Sequence, residues 1–511
     1  MNKSKKVGAA LSYLATILNS AISIFLTPFI LSCLGDAEYG VYRVVQSFTG
    51  QLALISIGLG TIASVFIAKY NARQDENAPK ERENFVAVGI SIATVLSIVM
   101  IIIGGILFFF VDDMYSSTMT REQLTLVNQM YIVLVINVAL YLFRDIFVGI
   151  VHGYERFLYS NGLKVARLVL RLALILVLLG IGMKSLALVL CDLALTVFML
   201  LCDMFYCFFV LKLKAKFHFF DKGLIKNIFS FSLAMILQTF VNQVNQNLGS
   251  VILGAMIVPE LVTVYALALS LYLAFNSIVS SIATLYTPEA AQLVQRGATE
   301  DKLCDFTIKV GRIQAITSAL VVGGFIIVGR QFVEIWAGAS KMDVYYLALI
   351  LMVPMMIATM FTGANSVLDA YMKRMGRSII LLITAVINIA LSIVLIKFIG
   401  YWGAAISTAA SVVVGQIIAM CIYYKKVFGF KVIKFFIGSL KGILLSLIIA
   451  LAASFPFGYL SLGNMAMLLV KGVVFVGVYG ACMLLFGMTK NEKQALFGKL
   501  LTRRKSKGEI K

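Results

Sequence analysis

Long apolar stretches alternate with short polar connections along the whole chain. Fourteen of these stretches are long enough to cross about 30 Å of hydrocarbon as α-helices. They cover residues 7–31, 41–68, 85–111, 124–151, 162–181, 185–211, 224–258, 261–286, 306–328, 344–371, 378–399, 403–424, 435–457 and 465–488. The pattern predicts an all-α polytopic membrane protein with about 14 transmembrane helices.

Two similar turns indicate an internal repeat. One follows the first apolar stretch, at residues 34–42, and the other follows the seventh, at residues 258–265. Because each copy holds an even number of spans, the copies share one orientation and are related by an axis along the membrane normal. The predicted parts are an N-terminal six-helix lobe (1–211), a basic cytoplasmic linker (212–226), a C-terminal six-helix lobe (227–424), helices 13 and 14 (425–488) and a basic cytoplasmic tail (489–511).

Polar residues form faces on four of the predicted helices, two in each copy of the repeat. The densest face lies at 238–247, where six of ten residues carry side-chain amides. In a membrane such a face requires water, a polar ligand or a tightly packed partner helix. We interpret the four faces as walls of a hydrophilic cavity; the alternative is that the amides join helices to one another. The candidate substrate-binding residues on these faces are Asn19, Gln46, Gln238, Asn242, Gln243, Asn245, Gln246, Ser277 and Ser281.

Composition and charge exclude an ordinary soluble enzyme. The chain is 61% hydrophobic and 13% charged, with a mean hydropathy of +0.96 and a net charge of +20. The connections on one side of the membrane hold 32 of the 44 Lys and Arg residues, and those on the other side hold 5. By the positive-inside rule both termini are cytoplasmic. This asymmetry explains the net charge without nucleic acid and predicts contact with anionic membrane lipids.

Seven basic residues lie within the predicted spans, where a charge costs about 2.5–3.5 kcal/mol unless it has a partner or water. Lys164, Arg167 and Arg171 share one face of the fifth span. Counting depth from the inner surface places Arg167 level with Asp203 and leaves Arg171 without an acidic neighbour. A guanidinium suits phosphate oxygens, because it offers several donors in one plane and stays charged. The candidate ligands for an anionic substrate are therefore Arg43, Arg167, Arg171 and Arg312.

Each of these charges also has a structural interpretation. Arg167 could pair with Asp203, and Arg312 could extend to the inner head groups. Asp192 and Asp203 are candidates either to bind a coupling proton or sodium ion or to form structural ion pairs. With two histidines and seven scattered cysteines, the chain offers almost no material for a metal site or a catalytic triad. We predict no cofactor apart from a coupling ion, and no enzymatic activity.

Four motifs resemble those of the Wzx-type polysaccharide and O-antigen flippases. They lie at residues 34–42, 153–157, 371–377 and 400–408. That family is the polysaccharide transporter branch of a superfamily that also holds the lipid II flippase and the multidrug and toxin extrusion transporters. The resemblance implies two pseudo-symmetric lobes, alternating access and a basic central cavity for the sugar-diphosphate head of an undecaprenyl-linked precursor. Lipid II relatives place arginines on helix one, whereas that span here carries only Ser, Thr and Asn.

The resulting hypothesis is a flippase that moves undecaprenyl-diphosphate-linked oligosaccharide from the inner to the outer leaflet of the bacterial plasma membrane. The expected partners are this lipid-linked oligosaccharide, membrane lipids and a polysaccharide polymerase complex. A multidrug or cation antiporter of the same superfamily would need a cavity carboxylate, and the interiors of spans one, two, seven and eight have none. A membrane glycan polymerase or acyltransferase would need a large outer loop, but the longest outer connection is 329–343. A scaffold role in a glycan-assembly complex is a further alternative.

Overall fold

The described part of the chain is 89% helical. A computed structural model describes residues 3–52, 59–73, 76–218, 249–283, 286–371, 373–454, 465–489 and 492–493. Within these ranges there are 17 α-helices and no strand. The predicted all-α class is therefore confirmed.

Packing divides the chain into two units. The first comprises Met1–Ser270 and Leu381–Thr408, and the second comprises Leu271–Ile380 and Ala409–Lys511. The lobe boundaries drawn from the sequence repeat stay a prediction. Six helices lie wholly in the first unit: α1 (Lys3–Leu52), α2 (Leu59–Ala72), α3 (Ala78–Tyr115), α4 (Arg121–Gly153), α5 (Phe157–Gly180) and α6 (Ser185–Phe205).

Three further helices each contain a boundary between the units, and eight lie wholly in the second unit. The three are α7 (Pro259–Ala283), α12 (Arg374–Ile399) and α13 (Tyr401–Ser411). The eight are α8 (Thr287–Gln295), α9 (Glu300–Ala337), α10 (Asp343–Thr359), α11 (Thr362–Ala370), α14 (Met420–Phe428), α15 (Val432–Leu440), α16 (Ile443–Ser454) and α17 (Met465–Cys482).

The helices have the length and apolarity of membrane spans. Among the described residues, ten helical segments are long and apolar enough to cross a bilayer, or eleven if the bent pair α15 and α16 forms one span. Large apolar side chains are exposed along them, including Phe109, Phe209 and Val473. Such surfaces suit hydrocarbon rather than water. The chain is therefore a multi-pass membrane protein. Most of the predicted seventh span, with its amide face, lies outside the described residues.

The first two predicted spans differ in detail from the structure. Helix α1 runs through both of them as far as Leu52, and its only described interruption is a kink at Gly35 (φ 75°, ψ 172°). A positive φ favours glycine, so the predicted turn at 34–42 is reduced to one residue that redirects the helix. Helix α2, which begins at Leu59, covers the second part of the predicted span 41–68, and residues 53–58 lie outside the described residues.

The two turns that define the repeat lie against one another within the first unit. The Thr263 hydroxyl donates a hydrogen bond to the Asp36 carbonyl at 2.6 Å. A side chain at Gly40 would collide with the Pro259 carbonyl, so glycine permits the close approach. Glu38 also accepts hydrogen bonds from the backbone amide and hydroxyl of Ser185, at 2.9 and 2.7 Å. These contacts fix the α1 kink against the beginnings of α6 and α7.

In the second unit Arg312 joins three segments of the chain. Its guanidinium donates to Glu492 at 2.8 and 3.2 Å and to the carbonyls of Gly438, Lys441 and Gly487 at 2.7–3.0 Å. Burial raises the pKa of Glu492, but the hydrogen bonds and charge of Arg312 and the hydrogen bonds from Thr489 together outweigh it and lower that pKa overall. Arg312 was a candidate substrate ligand, but here its donors bind protein groups at the 42° bend between α15 and α16. The predicted interaction with head groups is not needed to explain it.

Candidate functional site

The basic face of α5 meets acidic residues of α6 in a register that differs from the predicted one. Arg171 binds Asp192 through two hydrogen bonds, Nε to Oδ1 at 2.6 Å and Nη2 to Oδ2 at 3.0 Å. The expectation that Arg171 has no acidic neighbour is therefore wrong. Antiparallel helices joined by a short connection align by distance from that connection. Arg171 lies ten residues before Ile181, and Asp192 lies eight residues after Lys184.

The same register excludes the predicted pair of Arg167 with Asp203. Asp203 lies 19 residues beyond Lys184, whereas Arg167 lies 14 residues before Ile181. In the register set by Arg171 and Asp192 the mismatch is seven residues, or about 10 Å at 1.5 Å per residue. Asp203 instead accepts a hydrogen bond from Arg144 Nε of α4 at 2.7 Å, and the two side chains are only 3% and 11% exposed. Asp192 and Asp203 therefore both form structural pairs, each with an arginine other than Arg167.

Arg167, between these two pairs, has no hydrogen-bonded or ion-paired partner among the described residues. Among the described residues, no carboxylate lies within 4.0 Å of its guanidinium and no protein group accepts a hydrogen bond from it. The side chain is half-buried. A guanidinium within a membrane helix requires an anion or water. Arg167 is thus a candidate anion ligand whose guanidinium is bound by no described protein group.

Arg167 lines two neighbouring cavities, which share Asn19, Arg167 and Leu168 as common walls. We refer to them together as the basic cavity. The first measures about 350 Å³ and is lined by Asn19, Tyr141, Arg144, Asp145, Val148, Leu163, Lys164, Arg167, Leu168 and Met199. The second measures about 300 Å³ and is lined by Asn19, Gln46, Leu134, Asn137, Arg167, Leu168, Arg171, Val189 and Asp192.

Helices α1, α4, α5 and α6 of the first unit form the walls of the basic cavity. Helix α1 contributes Asn19 and Gln46, so two of the predicted amide ligands lie beside Arg167. Helix α4 contributes Asn137, which the sequence analysis missed; its side-chain oxygen is buried without a hydrogen-bond partner. A lone amide on an apolar helix gave only a weak signal. Carbonyl oxygens and amide nitrogens beside a guanidinium suit a ligand that is both anionic and rich in hydroxyls.

Asp145 of α4 is a second residue that the sequence analysis missed. Its Oδ2 accepts a hydrogen bond from the backbone amide of Gly60, in the first turn of α2, at 2.8 Å. A Cβ at Gly60 would lie 2.6 Å from Asp145 Oδ1, so glycine allows the carboxylate to reach the backbone. The juxtaposition of Arg144 and Asp145 could have drawn attention to this helix, because two adjacent charges are rare within a span.

Among the described side chains, those of Arg43, Ser277 and Arg312 do not line the basic cavity. Arg43 lies on α1, one turn before Gln46, and Ser277 and Ser281 belong to α7. The predicted ligands on the amide face lie outside the described residues: Gln238, Asn242, Gln243, Asn245 and Gln246. Their roles stay predictions. Within the described part of the chain, no three His, Cys, Asp or Glu side chains come together as a metal site would require.

The fold is that of membrane transporters. The structure is similar to the lipid II flippase MurJ in an inward closed conformation, with a TM-score of 0.69, 12% sequence identity and coverage of 97% of this chain and 99% of MurJ. It is also similar to an inward-facing multidrug resistance transporter of the MATE family, in the MOP superfamily. That match has a TM-score of 0.67 and 17% identity, and it covers 83% of this chain and 98% of the transporter.

Sequence comparison then identifies the family. The family model described as polysaccharide biosynthesis protein matches residues 7–294, more than half of the chain, so the chain belongs to that family. It is also 21% identical to the uncharacterized membrane protein EpsK of Bacillus subtilis (strain 168), in an alignment of 520 positions that covers 97% of each chain. The resemblance to polysaccharide transporters is confirmed, and these transporter relatives agree with the prediction that the chain is not an enzyme.

Proposed function

We propose that the protein is a flippase for a polyprenyl-diphosphate-linked oligosaccharide and moves it from the inner to the outer leaflet of the bacterial plasma membrane. The single observation that carries this proposal is the unpaired guanidinium of Arg167 in the basic cavity. A diphosphate offers several charged oxygens to such a group, and each hydrogen bond between them is charge-assisted. The family, whose members are polysaccharide biosynthesis proteins, supplies the glycan part of the substrate.

The composition of the cavity fits both ends of this head group. Arg167 and Lys164 supply positive charge, whereas Asn19, Gln46 and Asn137 supply hydrogen-bonding groups for sugar hydroxyls. Each part of the cavity lies at the lower end of the range for small-molecule sites, about 300–1,000 Å³. We infer that it holds the diphosphate and the first sugar, while the polyprenyl chain stays in lipid.

Charge also supports a direction of transport. The distribution of Lys and Arg between connections places both termini and the start of α5 on the cytoplasmic side. Lys164 therefore lies nearer the inner leaflet than Arg167 and Arg171 do. An anionic head group that enters from the inner leaflet would meet Lys164 first and Arg167 next. Transport by alternating access, with a polysaccharide polymerase complex receiving the product, completes the proposal.

A flipping assay in liposomes tests this function. Purified protein would be reconstituted with a fluorescent short-chain polyprenyl-diphosphate oligosaccharide, and flipping would be measured as loss of accessibility to a membrane-impermeant quencher. We expect the diphosphate substrate to flip at least about tenfold faster than the matching monophosphate, because one charged hydrogen bond contributes about 1.5–3 kcal/mol. Extrusion of a cationic dye without any flipping of the diphosphate substrate would instead support the multidrug alternative.

A further inference from the structure

The carboxylates of the basic cavity are not equivalent. Asp192 lines the cavity and binds Arg171 at 2.6 Å. Asp203 binds Arg144, which lines the cavity, at 2.7 Å. Both were predicted either as sites for a coupling ion or as members of structural ion pairs, and the structure places each of them against an arginine.

Asp145 differs from both because its described partner is a neutral backbone amide. No Lys or Arg among the described residues lies within 4.0 Å of its carboxylate, and Gly60 N donates the one hydrogen bond that it receives there. The same cavity that contains Arg167 also contains Asp145. A negative charge on Asp145 therefore acts directly on any anion that Arg167 holds.

We propose that Asp145 takes up a proton when the basic cavity binds its anionic substrate, so that substrate binding and protonation of Asp145 favour each other. This inference rests on the proposed function. An anion beside an ionised carboxylate is repelled, and protonation removes that repulsion. By thermodynamic reciprocity, a bound anion raises the proton affinity of the carboxylate by the same factor.

The other groups that face Asp145 do not offer the same response. Tyr141 and Arg144 come from its own helix, Lys164 and Arg167 come from α5, and Asp203 lies behind Arg144 on α6. Tyrosine and lysine ordinarily titrate near pH 10, and arginine higher still. Helix α1 contributes only the uncharged Asn19 to this part of the cavity. Among the described groups that face this part of the cavity, Asp145 is thus the carboxylate that no arginine or lysine binds.

Protonation would also act on the backbone. The hydrogen bond from Gly60 to Asp145 is charge-assisted only while the carboxylate is ionised, and such bonds are roughly twice as strong as neutral ones. When Asp145 gains a proton, it holds the first turn of α2 less firmly. Substrate in the cavity is therefore linked to the attachment of α2 as well as to the proton.

Calorimetric titration of the intact protein in nanodiscs tests the inference. The probe would be farnesyl-diphospho-N-acetylglucosamine, in which both phosphates are esterified, so it lacks the phosphate ionisation near about pH 6. Titrations in buffers of different ionisation enthalpy report the protons taken up per probe bound. We expect uptake of up to about one proton in wild type, and affinity at least about fivefold higher at low pH than at high pH.

Variants assign the proton to a residue. Asp145→Asn should bind the probe without proton uptake and with little dependence on pH, whereas Asp145→Glu should retain both effects. Asp113→Asn, the same change at an exposed position outside the cavity, should behave as wild type. Probe binding by wild type without proton uptake, or unchanged uptake in Asp145→Asn, would overturn the inference and leave the flippase proposal intact. Failure of wild type to bind the probe at any pH would overturn both.

Discussion

Replacing Arg167 by alanine is expected to abolish flipping of the diphosphate-linked substrate while leaving the protein folded. Arg167 has no protein partner among the described residues, so its removal leaves no described buried carboxylate without a partner. Loss of one member of a desolvated charge pair costs about 2–5 kcal/mol, which is at least about 30-fold in substrate affinity. The liposome flipping assay and binding of the farnesyl-diphosphate probe would measure the two effects.

Two further variants sharpen this result. Arg167→Lys should recover part of the activity, because lysine keeps the charge but loses the planar arrangement of donors. Arg121→Ala makes the same charge change at an exposed position at the start of α4, and it should flip substrate as wild type does. If Arg167→Ala transported the substrate at the wild-type rate, the cavity would not be the substrate site.

The largest effect on stability is expected from Asp203→Asn. This change leaves Arg144 charged and almost fully buried without its partner, and breaking a buried ion pair in this way typically costs about 3–5 kcal/mol. Replacing both residues, as in Arg144→Met with Asp203→Leu, should restore most of the lost stability, because no charge then lies unpaired. Thermal unfolding of the purified variants in detergent would measure these shifts in Tm.

The matched control is Asp305→Asn. Asp305 pairs with Lys434 at 2.8 Å, but the two side chains are 65% and 44% exposed. Water compensates both charges, so the same chemical change should alter Tm little. Equal shifts for Asp203→Asn and Asp305→Asn would show that burial does not decide the effect, and the assignment of Arg144 and Asp203 as a structural pair would fail.

Hydropathy was sufficient to predict the class of fold, but it was not sufficient to predict where individual helices begin and end. Long apolar stretches have few alternatives to membrane helices, because hydrocarbon leaves backbone groups no other partner. The correspondence of the turns near Tyr42 and Tyr265 stays a prediction, although within the first unit those turns are in contact. The continuation of α1 through Gly35 was not predictable in this way, because the polar residues at 34–42 resemble a connection between two spans.

The candidate site was predicted in kind but only partly in detail. The basic face of α5 and the amides of α1 could be read from helical spacing alone. Helical spacing alone could not show which arginine is free, because that depends on the register of α4, α5 and α6. Counting from the short connection between α5 and α6 would have found the pair of Arg171 and Asp192. Asp145 depends on a contact with Gly60, 85 residues away, that no local pattern encodes.

The central claim is that Arg167 holds the diphosphate of the lipid-linked substrate. The most direct measurement is an electron cryomicroscopy map of the protein with the farnesyl-diphosphate probe bound. The account predicts a phosphate oxygen about 2.7–2.9 Å from a nitrogen of the Arg167 guanidinium. A map in which the diphosphate binds at Arg43 or elsewhere, with Arg167 contacting no part of the ligand, would contradict it.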